Sequence, residues 1–503
     1  MSKGKLFAVC VLWLMIAAAL AVTYRYLVYP RQRDQRLSET SSESHYQHTV
    51  TIALDSFSGY AILRSQEFKE QLSQKRIRLE LVDDGANYSQ RIKALDRGRV
   101  DMAAFTVDAL IKVSASLDTP PATILAVIDE SRGADAIVAY KQVVPEEDRL
   151  DTLNRADMRF VVTPDSPSET LARAVISSFG LDNLPPNPFV AADDAEDVFH
   201  IYRSAKPDEP RVYVLWEPHV AKILANPNTH IISDTSKFRG FIVDVLVAGR
   251  DFLVKNEELA QEVVGAYFRA AHHYRQDMPS LVYEDAKLTG IALSPDQAQR
   301  TVNGIRWKNT QENFAHFGLR PNGNVPLLED TISKITRVLT DTGAIERDPT
   351  EGDPGLLYYD KILADLKNAN FHPGLSEEQI REETVQLVPL TDREWDALVP
   401  IGTLSVPELV FARGRDVLTG SSRVTLDELA KQLESFPFAY VLVKGNASTQ
   451  GDLEANAALA QKRAQAAEAY LVGVGVDPQR IRAVGGEPSG RTSVSFVLGQ
   501  PAY

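Results

Sequence analysis

Cysteine is nearly missing from this 503-residue chain: Cys10 is the single one, and it lies inside an apolar run. An intramolecular disulfide is therefore excluded, as are the paired-cysteine motifs that hold zinc or iron–sulfur clusters. The 9 histidines are scattered. His272 and His273 are adjacent in a helical stretch and point different ways, so they make no metal pair. No H-E-x-x-H, Walker loop, G-x-S-x-G or G-x-G-x-x-G occurs in a fitting context. No catalytic residue, metal or cofactor is expected. Basic excess is absent too: 54 Lys and Arg against 68 Asp and Glu leave a net charge of -14. With no basic stripe, nucleic acid is not expected as a partner. Repeats and long low-complexity tracts are also missing.

What is present is ordinary globular material, 44% hydrophobic and 24% charged. At roughly 100–200 residues per domain, the length suggests two to four domains. Near the N-terminus, Lys3 and Lys5 precede "LFAVCVLWLMIAAALAV", Leu6 to Val22. Two readings fit. A signal peptide could be cleaved after "ALA", Ala19 to Ala21. A retained anchor could run from Leu6 to about Leu27, close to the ~20 residues a bilayer needs, with Tyr24, Tyr26 and Tyr29 at the interface. The anchor, residues 1–29, is the preferred reading. Arg25, Arg31, Arg33 and Arg36 outnumber the two lysines, but the positive-inside rule weakens when a long domain follows. The polar stretch 30–48 reads as a flexible linker.

From residue 49 to 275, short apolar runs alternate with helical patterns. "TVTIAL", "RLELVD", "VDMAAF", "ATILAVI", "AIVAY", "RFVVT", "VYVLW", "HIIS" and "FIVDVLVAG" read as buried strands; "NYSQRIKALDRG" and "ETLARAVISSFG" read as helices between them. Alternation of this kind predicts a mostly parallel α/β sheet covered on both faces. About 220 residues of it imply two α/β lobes. Residues 276–400 read as a helical extension. "SPDQAQRTVNGI" carries a Ser-Pro start, "PLLEDTISKITRVLTDTG" ends at Gly343, and a charged helix is predicted near "SEEQIREETVQL". Residues 401–503 read as a small α+β module, with "LSVPELVF" as a strand and "SSRVTLDELAKQLESF" as a Ser-capped helix.

Open α/β sheets bind ligands at the carboxyl ends of their strands. The loops at those ends are "DSFSGY", "DDGANYSQR", "FTVDAL", "IDESRGADAIV", "TPDSPSETL" and "LWEPHVA". Their order resembles that of the periplasmic substrate-binding proteins of the nitrate/sulfonate/taurine type, which share a fold with the thiamine-precursor family. The resemblance implies a two-lobed clamshell, with hinge crossovers in "IDESRGADAIV" and "RGFIVDVLV", and association with an ABC transporter. The iron segment of the thiamine-precursor synthases would need cysteines this chain lacks. The candidate ligand-binding residues are Ser56, Ser58, Tyr60, Asp84, Thr106, Asp108, Asp129, Ser131, Ser168, Thr170, Trp216 and Glu217. Ser168 and Thr170 begin a helix whose N–H groups could hold an anion, or they are simple caps. With Asp55, the acids Asp84, Asp108, Asp129 and Glu217 would make the cleft acidic. That points to a cationic or zwitterionic solute.

In the last segment, N-x-x-L-x-x-x-R-A falls on Asn456, Leu459, Arg463 and Ala464, with "YLVGVGVDPQRI" and "VGGEPSG" following. This resembles the OmpA-like peptidoglycan-associated domain. Seven residues of helix turn about 700°, so Asn456 and Arg463 share a face. The resemblance implies that Arg463 holds a carboxylate of the wall peptide, a task suited to a guanidinium fork. The family's usual acid is replaced by Ser448, and only Arg491 stands where an Arg pair is usual. Asp452 lies nearly in phase with Arg463 and is either a substitute acid or the helix N-cap. Ser448, Asp452, Asn456 and Arg463 are the candidate peptidoglycan-binding residues. The expected whole is a single-pass bacterial inner-membrane protein whose bulk lies in the periplasm. An envelope scaffold without a small ligand or wall grip is the alternative.

Overall fold

The computed structural model describes residues 46–145, 150–217, 219–321, 325–381, 387–488 and 492–501. The expected anchor lies outside these residues. Among the described residues no helix is long and apolar enough to cross a membrane.

Fifteen strands form three sheets among the described residues. The first lobe holds β1 (His48–Leu54), β2 (Ile77–Asp83), β3 (Met102–Thr106), β4 (Ala122–Ser131), β10 (Val243–Gly249) and β11 (Ile305–Trp307) in the order β11-β4-β10-β3-β1-β2. The second holds β5 (Asp135–Tyr140), β6 (Arg159–Val162), β7 (Phe189–Ala191), β8 (Arg211–Trp216) and β9 (Thr229–Asp234) in the order β7-β6-β8-β5-β9. β4 and β5 are buried along their whole lengths, as continuous apolar runs covered on both faces should be.

The chain passes between lobes twice, at 131–135 and at 235–242, in the two segments expected to carry the hinge. These passages also correct the expectation of mostly parallel sheets. β1 pairs in parallel with β2 and β3, and β6 with β7 and β8. β10 is antiparallel to β3 and β4, and β5 is antiparallel to β8 and β9. The reason is directional. β5 and β10 enter their lobes from the crossover and run away from the cleft, whereas their neighbours run towards it.

The segment expected as a helical extension contributes to the first lobe. β11 extends that lobe's sheet beside β4, and Leu328, Ile332, Ile335, Leu357 and Ile362 join its core. "SEEQIREETVQL" was expected to be helical, but 376–381 is not, and 382–386 lies outside the described residues. The charges of 376–381 are held by distant partners instead: Glu378 by His272, Arg381 by Glu312 and Glu377 by Arg320. Tertiary pairing overrides local helix propensity here.

The third sheet has the order β12-β15-β13-β14, from Val399–Thr403, Ser493–Gln500, Tyr440–Ala447 and Ile481–Pro488. Its first strand is "VPIGT", not "LSVPELVF". Pro407 would deny a ladder N–H in the middle of the latter, whereas Pro400 is tolerated on an edge strand beside a bulge. Seven helices matter below: α1 (Tyr88–Asp96), α2 (Val107–Ser114), α3 (Pro167–Phe179), α4 (Glu257–Tyr274), α5 (Leu328–Asp341), α6 (Gly420–Leu433) and α7 (Leu453–Gly473). The N-cap of α6 is Thr419 rather than a serine; its side chain accepts from Ser422 N. α7 buries Ala460, Ala464, Ala467 and Leu471, at spacings of four, three and four. Small residues let it lie close on β13: an added Cβ at Gly445 would stand 2.1 Å from the Ala460 carbonyl oxygen.

Candidate functional site

Between the lobes, most of the expected ligand groups bond to other parts of the chain. Asp55 and Asp84 close on the Arg91 guanidinium, whose side chain is fully buried in α1. Arg91 Nε donates to Asp84 Oδ2 at 2.7 Å, Nη1 to the Ala104 carbonyl at 2.6 Å and Nη2 to Asp55 Oδ2 at 2.9 Å. Tyr88 and Phe105 sit against its plane at 4.8 and 5.5 Å. Burial raises the Asp84 pKa, with Arg91 pulling it back down. Ser56 and Ser58 are half-buried in the loop after β1.

Across the cleft, Thr170 Oγ1 donates to Asp108 Oδ2 at 2.5 Å. Lys112 of α2 reaches both Glu169 and Asp165 at 2.7 Å. Glu169 Oε2 also accepts from Asp165 N at 2.8 Å. The helix start that could have held an anion therefore already carries a carboxylate. Ser168 Oγ accepts from Thr163 N at 3.2 Å. Glu217 accepts from Ala221 N at 3.2 Å, and Trp216 is half-buried opposite Asp135 in the ladder.

Behind these contacts the strand register aligns a polar row on the first sheet. Thr106 pairs with Asp244, Asp244 with Asp129, and Asp129 with Trp307. Directly paired residues point to one face. The loop Phe57–Tyr60 covers the row: Tyr60 Oη donates to Asp244 Oδ1 at 2.5 Å, and Trp307 Nε1 donates to the Gly59 carbonyl at 2.8 Å. Gly59 is required there, because a Cβ would stand 2.4 Å from Asp129 Oδ2. Asp129 Oδ1 and Oδ2, Asp244 Oδ2 and Thr106 Oγ1 are buried with no hydrogen-bond partner outside this cluster of acids. Burial pushes the Asp129 carboxyl up to about 8, opposed by hydrogen bonding with the Asp244 carboxyl and by the Lys308 charge. Burial and the Asp129 charge raise Asp244 well above the carboxylate range. At the hinge, Ser131 Oγ donates to Asp135 Oδ2 at 2.6 Å and lies 2.8 Å from Thr235 Oγ1, joining the two crossovers. Burial lifts Asp135 to about 7.

Sequence reasoning missed Arg91, Asp244, Lys112, Glu169 and Trp307. Asp244 had a legible signal, an acid inside the apolar run "FIVDVLVAG". Arg91 had none, because one arginine in an amphipathic helix reads as solvated.

In the C-terminal domain, Asp452 is the N-cap of α7, its Oδ1 accepting from Glu454 N and Ala455 N at 3.1 Å. Asn456 Nδ2 donates to the carbonyls of Ser448 and Gln450 at 3.2 and 2.7 Å. Ser448 Oγ accepts from Gln450 N at 3.1 Å. Two turns further, Arg463 Nε donates to the Arg415 carbonyl at 3.0 Å, and its guanidinium lies 4.8 Å from the Phe411 ring. Arg491 lies outside the described residues. Among the described residues no group of three or more His, Cys, Asp or Glu is placed to hold a metal ion.

This sheet, its helix face and the loop before α7 decide what the segment is. Residues 410–492 match the OmpA family. The same region is similar to the peptidoglycan-associated lipoprotein of Haemophilus influenzae, 43% identical over 67 residues, which is 13% of this chain and 44% of that protein. The chain thus spans less than half the length of that curated relative. The clamshell is similar in structure to a putative sulfonate ABC transporter's periplasmic sulfonate-binding protein from Methylobacillus flagellatus, at TM-score 0.48 and 15% identity, over 66% of this chain and 99% of that one. It is also similar to the periplasmic aliphatic sulphonate binding protein of Escherichia coli, at TM-score 0.46 and 11% identity over 63% and 99% of the two chains. For the periplasmic nitrate-binding protein of Synechocystis the TM-score is 0.41 and the identity 12%, over 63% and 98%. The sheet that carries the OmpA-family match, β12 included, packs against the second lobe, whose core runs into its own.

Proposed function

We propose that the protein is a non-enzymatic envelope component that captures a small solute between two lobes and faces the cell wall with its OmpA-family domain. One observation carries the reading: facing strand ends, joined by two crossovers, enclose a buried polar row in which several carboxyl and hydroxyl oxygens lack partners outside the row. Such groups suit a ligand bearing an amine, cationic or zwitterionic, because each buried acceptor left without a donor costs about 1–3 kcal/mol. Gly59 lies directly over Asp129, so entry requires the loop to lift and the lobes to part. Capture then works by lobe closure with no covalent step. The anchor at Leu6 to Leu27 would hold the chain in the inner membrane with its bulk in the periplasm, where a transporter could receive the solute.

A second reading is favoured by a specific observation. Thr170–Asp108 and Lys112–Glu169 already join the lobes without a ligand. In that reading the clamshell is an envelope scaffold. A thermal-shift screen of the full chain with amino acids, polyamines, sulfonates and oxyanions separates the two. A solute raises the melting temperature in proportion to log concentration. A flat response to every class overturns capture and leaves the scaffold.

A further inference from the structure

The OmpA-family domain does not hang from the clamshell on a tether; it grips the hinge. Its loop after α6 meets the second crossover directly. Arg239 N donates to the Ser435 carbonyl at 2.9 Å. Phe238 of the crossover stands edge-on to Phe436 at 5.1 Å, and both contact Phe179 at the end of α3. The Arg239 guanidinium lies 4.8 Å from the Phe438 ring. Ser405 N donates to the Ser178 carbonyl at 2.8 Å, which ties the domain to the second lobe.

The first lobe enters through α5. Ile332, Ile335 and Leu339 of this helix belong to the first lobe's core, whereas Val338 belongs to the second's. Lys334 of α5 donates both to the Arg239 carbonyl at 3.1 Å and to Ser435 Oγ at 3.2 Å. One ammonium thus ties together a helix rooted in the first lobe, the crossover and the OmpA-family domain. On the first crossover's side, Glu130 Oε1 accepts from Gly240 N at 3.0 Å and its other oxygen meets Lys308 at 2.8 Å. A hinge opens only if a few backbone torsions in its crossovers change. Here the torsions of the second crossover lie against a second domain.

We propose that the OmpA-family domain is a brace on the clamshell: by gripping the second crossover it keeps the two lobes closed, and its displacement is what frees them to open. The coupling is reciprocal by linkage. Whatever pulls this domain away favours the open clamshell, and whatever holds the lobes together favours the docked domain. The inference needs no solute and stands whether the clamshell captures one or not.

The test uses the full chain carrying Lys334→Met, which removes the three-way contact. Phe438→Ser serves as a second variant, at a side chain 46% exposed and so outside the core. With Cys10→Ser, the chain has no cysteine left, and spin labels at the exposed Gln66 and Asp208 report the distance between lobes. Hydrogen exchange is followed at 131–135, 235–242 and β13. The brace predicts a longer distance between lobes in both variants and about tenfold faster exchange in both crossovers, with β13 still protected. Unchanged lobe distances in either variant with β13 protected overturn it, because the contact would then be passive packing.

Discussion

Two arginines divide the molecule. Arg91 in the first lobe and Arg463 on α7 each stand where a carboxylate could be held. Arg91 has a side chain with no exposure, two carboxylates and a carbonyl around it, and two adjacent aromatic rings against it. Arg463 is half-buried, bonded from Nε to one backbone carbonyl and leaning on one ring. The first is a structural post that fixes two loops against β3. The second keeps the edge of its fork towards the surface. Residue type is the same; what differs is how much of the donor set the chain itself already fills.

That contrast breaks most sharply at Arg91. Arg91→Met leaves Asp55 and Asp84 beside an apolar side chain, and breaking a buried pair from one side costs about 3–5 kcal/mol. The urea midpoint of the first lobe should fall steeply. A loss below 1 kcal/mol would mean that the acids find water once the guanidinium is gone. In the OmpA-family domain the tight place is backbone against backbone. Gly445→Ala should cost about 1–3 kcal/mol through overpacking against the Ala460 carbonyl. Calorimetry that leaves the melting temperature unmoved would show that α7 shifts freely on β13.

The polar row and the hinge acid Asp135 give a milder effect whose sign is fixed. Asp129, at about 8, and Asp135, at about 7, are raised above ordinary carboxyl values. The folded state therefore binds protons that the unfolded state has released. The stability this contributes is present in full below about pH 4 and is lost as pH rises through 7 to 8. Urea midpoints between pH 5 and 8.5 should decline. Asp129→Asn, which keeps the shape without the charge, should flatten that decline. A profile equally steep in the variant would place the titration elsewhere.

Much of the fold was legible because its strands are apolar runs bounded by polar turns. Nine of them in the clamshell, from "TVTIAL" to "FIVDVLVAG", lie within a few residues of the observed strands. β7 and β11 were not legible: three residues each carry no periodicity, and their pairing is decided by sheets already built. The OmpA-family helix face was legible because Asn456 and Arg463 sit at a fixed spacing. The site was less so. Sequence placed Asp108 and Thr170 at loop ends but could not say that they would meet across the cleft, since that depends on how far the lobes close. Nor could it say that Asp452 would serve as a cap, because cap and ligand draw on the same carboxylate lone pairs.

The smallest expected effect on stability is at the other arginine, and it decides what the comparison means. Arg463→Ala removes one bond to a carbonyl and one ring contact at a half-buried site, so its cost should stay near 0.5 kcal/mol, about the scale of surface substitutions. Retention of the full chain on purified wall sacculi should nonetheless fall, if the edge of the guanidinium grips a carboxylate. Ser448→Asp runs the other way. An acid beside the Asn456-held loop would add a partner for an ammonium, so retention should rise while stability barely moves. If neither variant changes retention, Arg463 belongs with Arg91 as a structural post, and the OmpA-family domain keeps its shape for the contact it makes with the hinge.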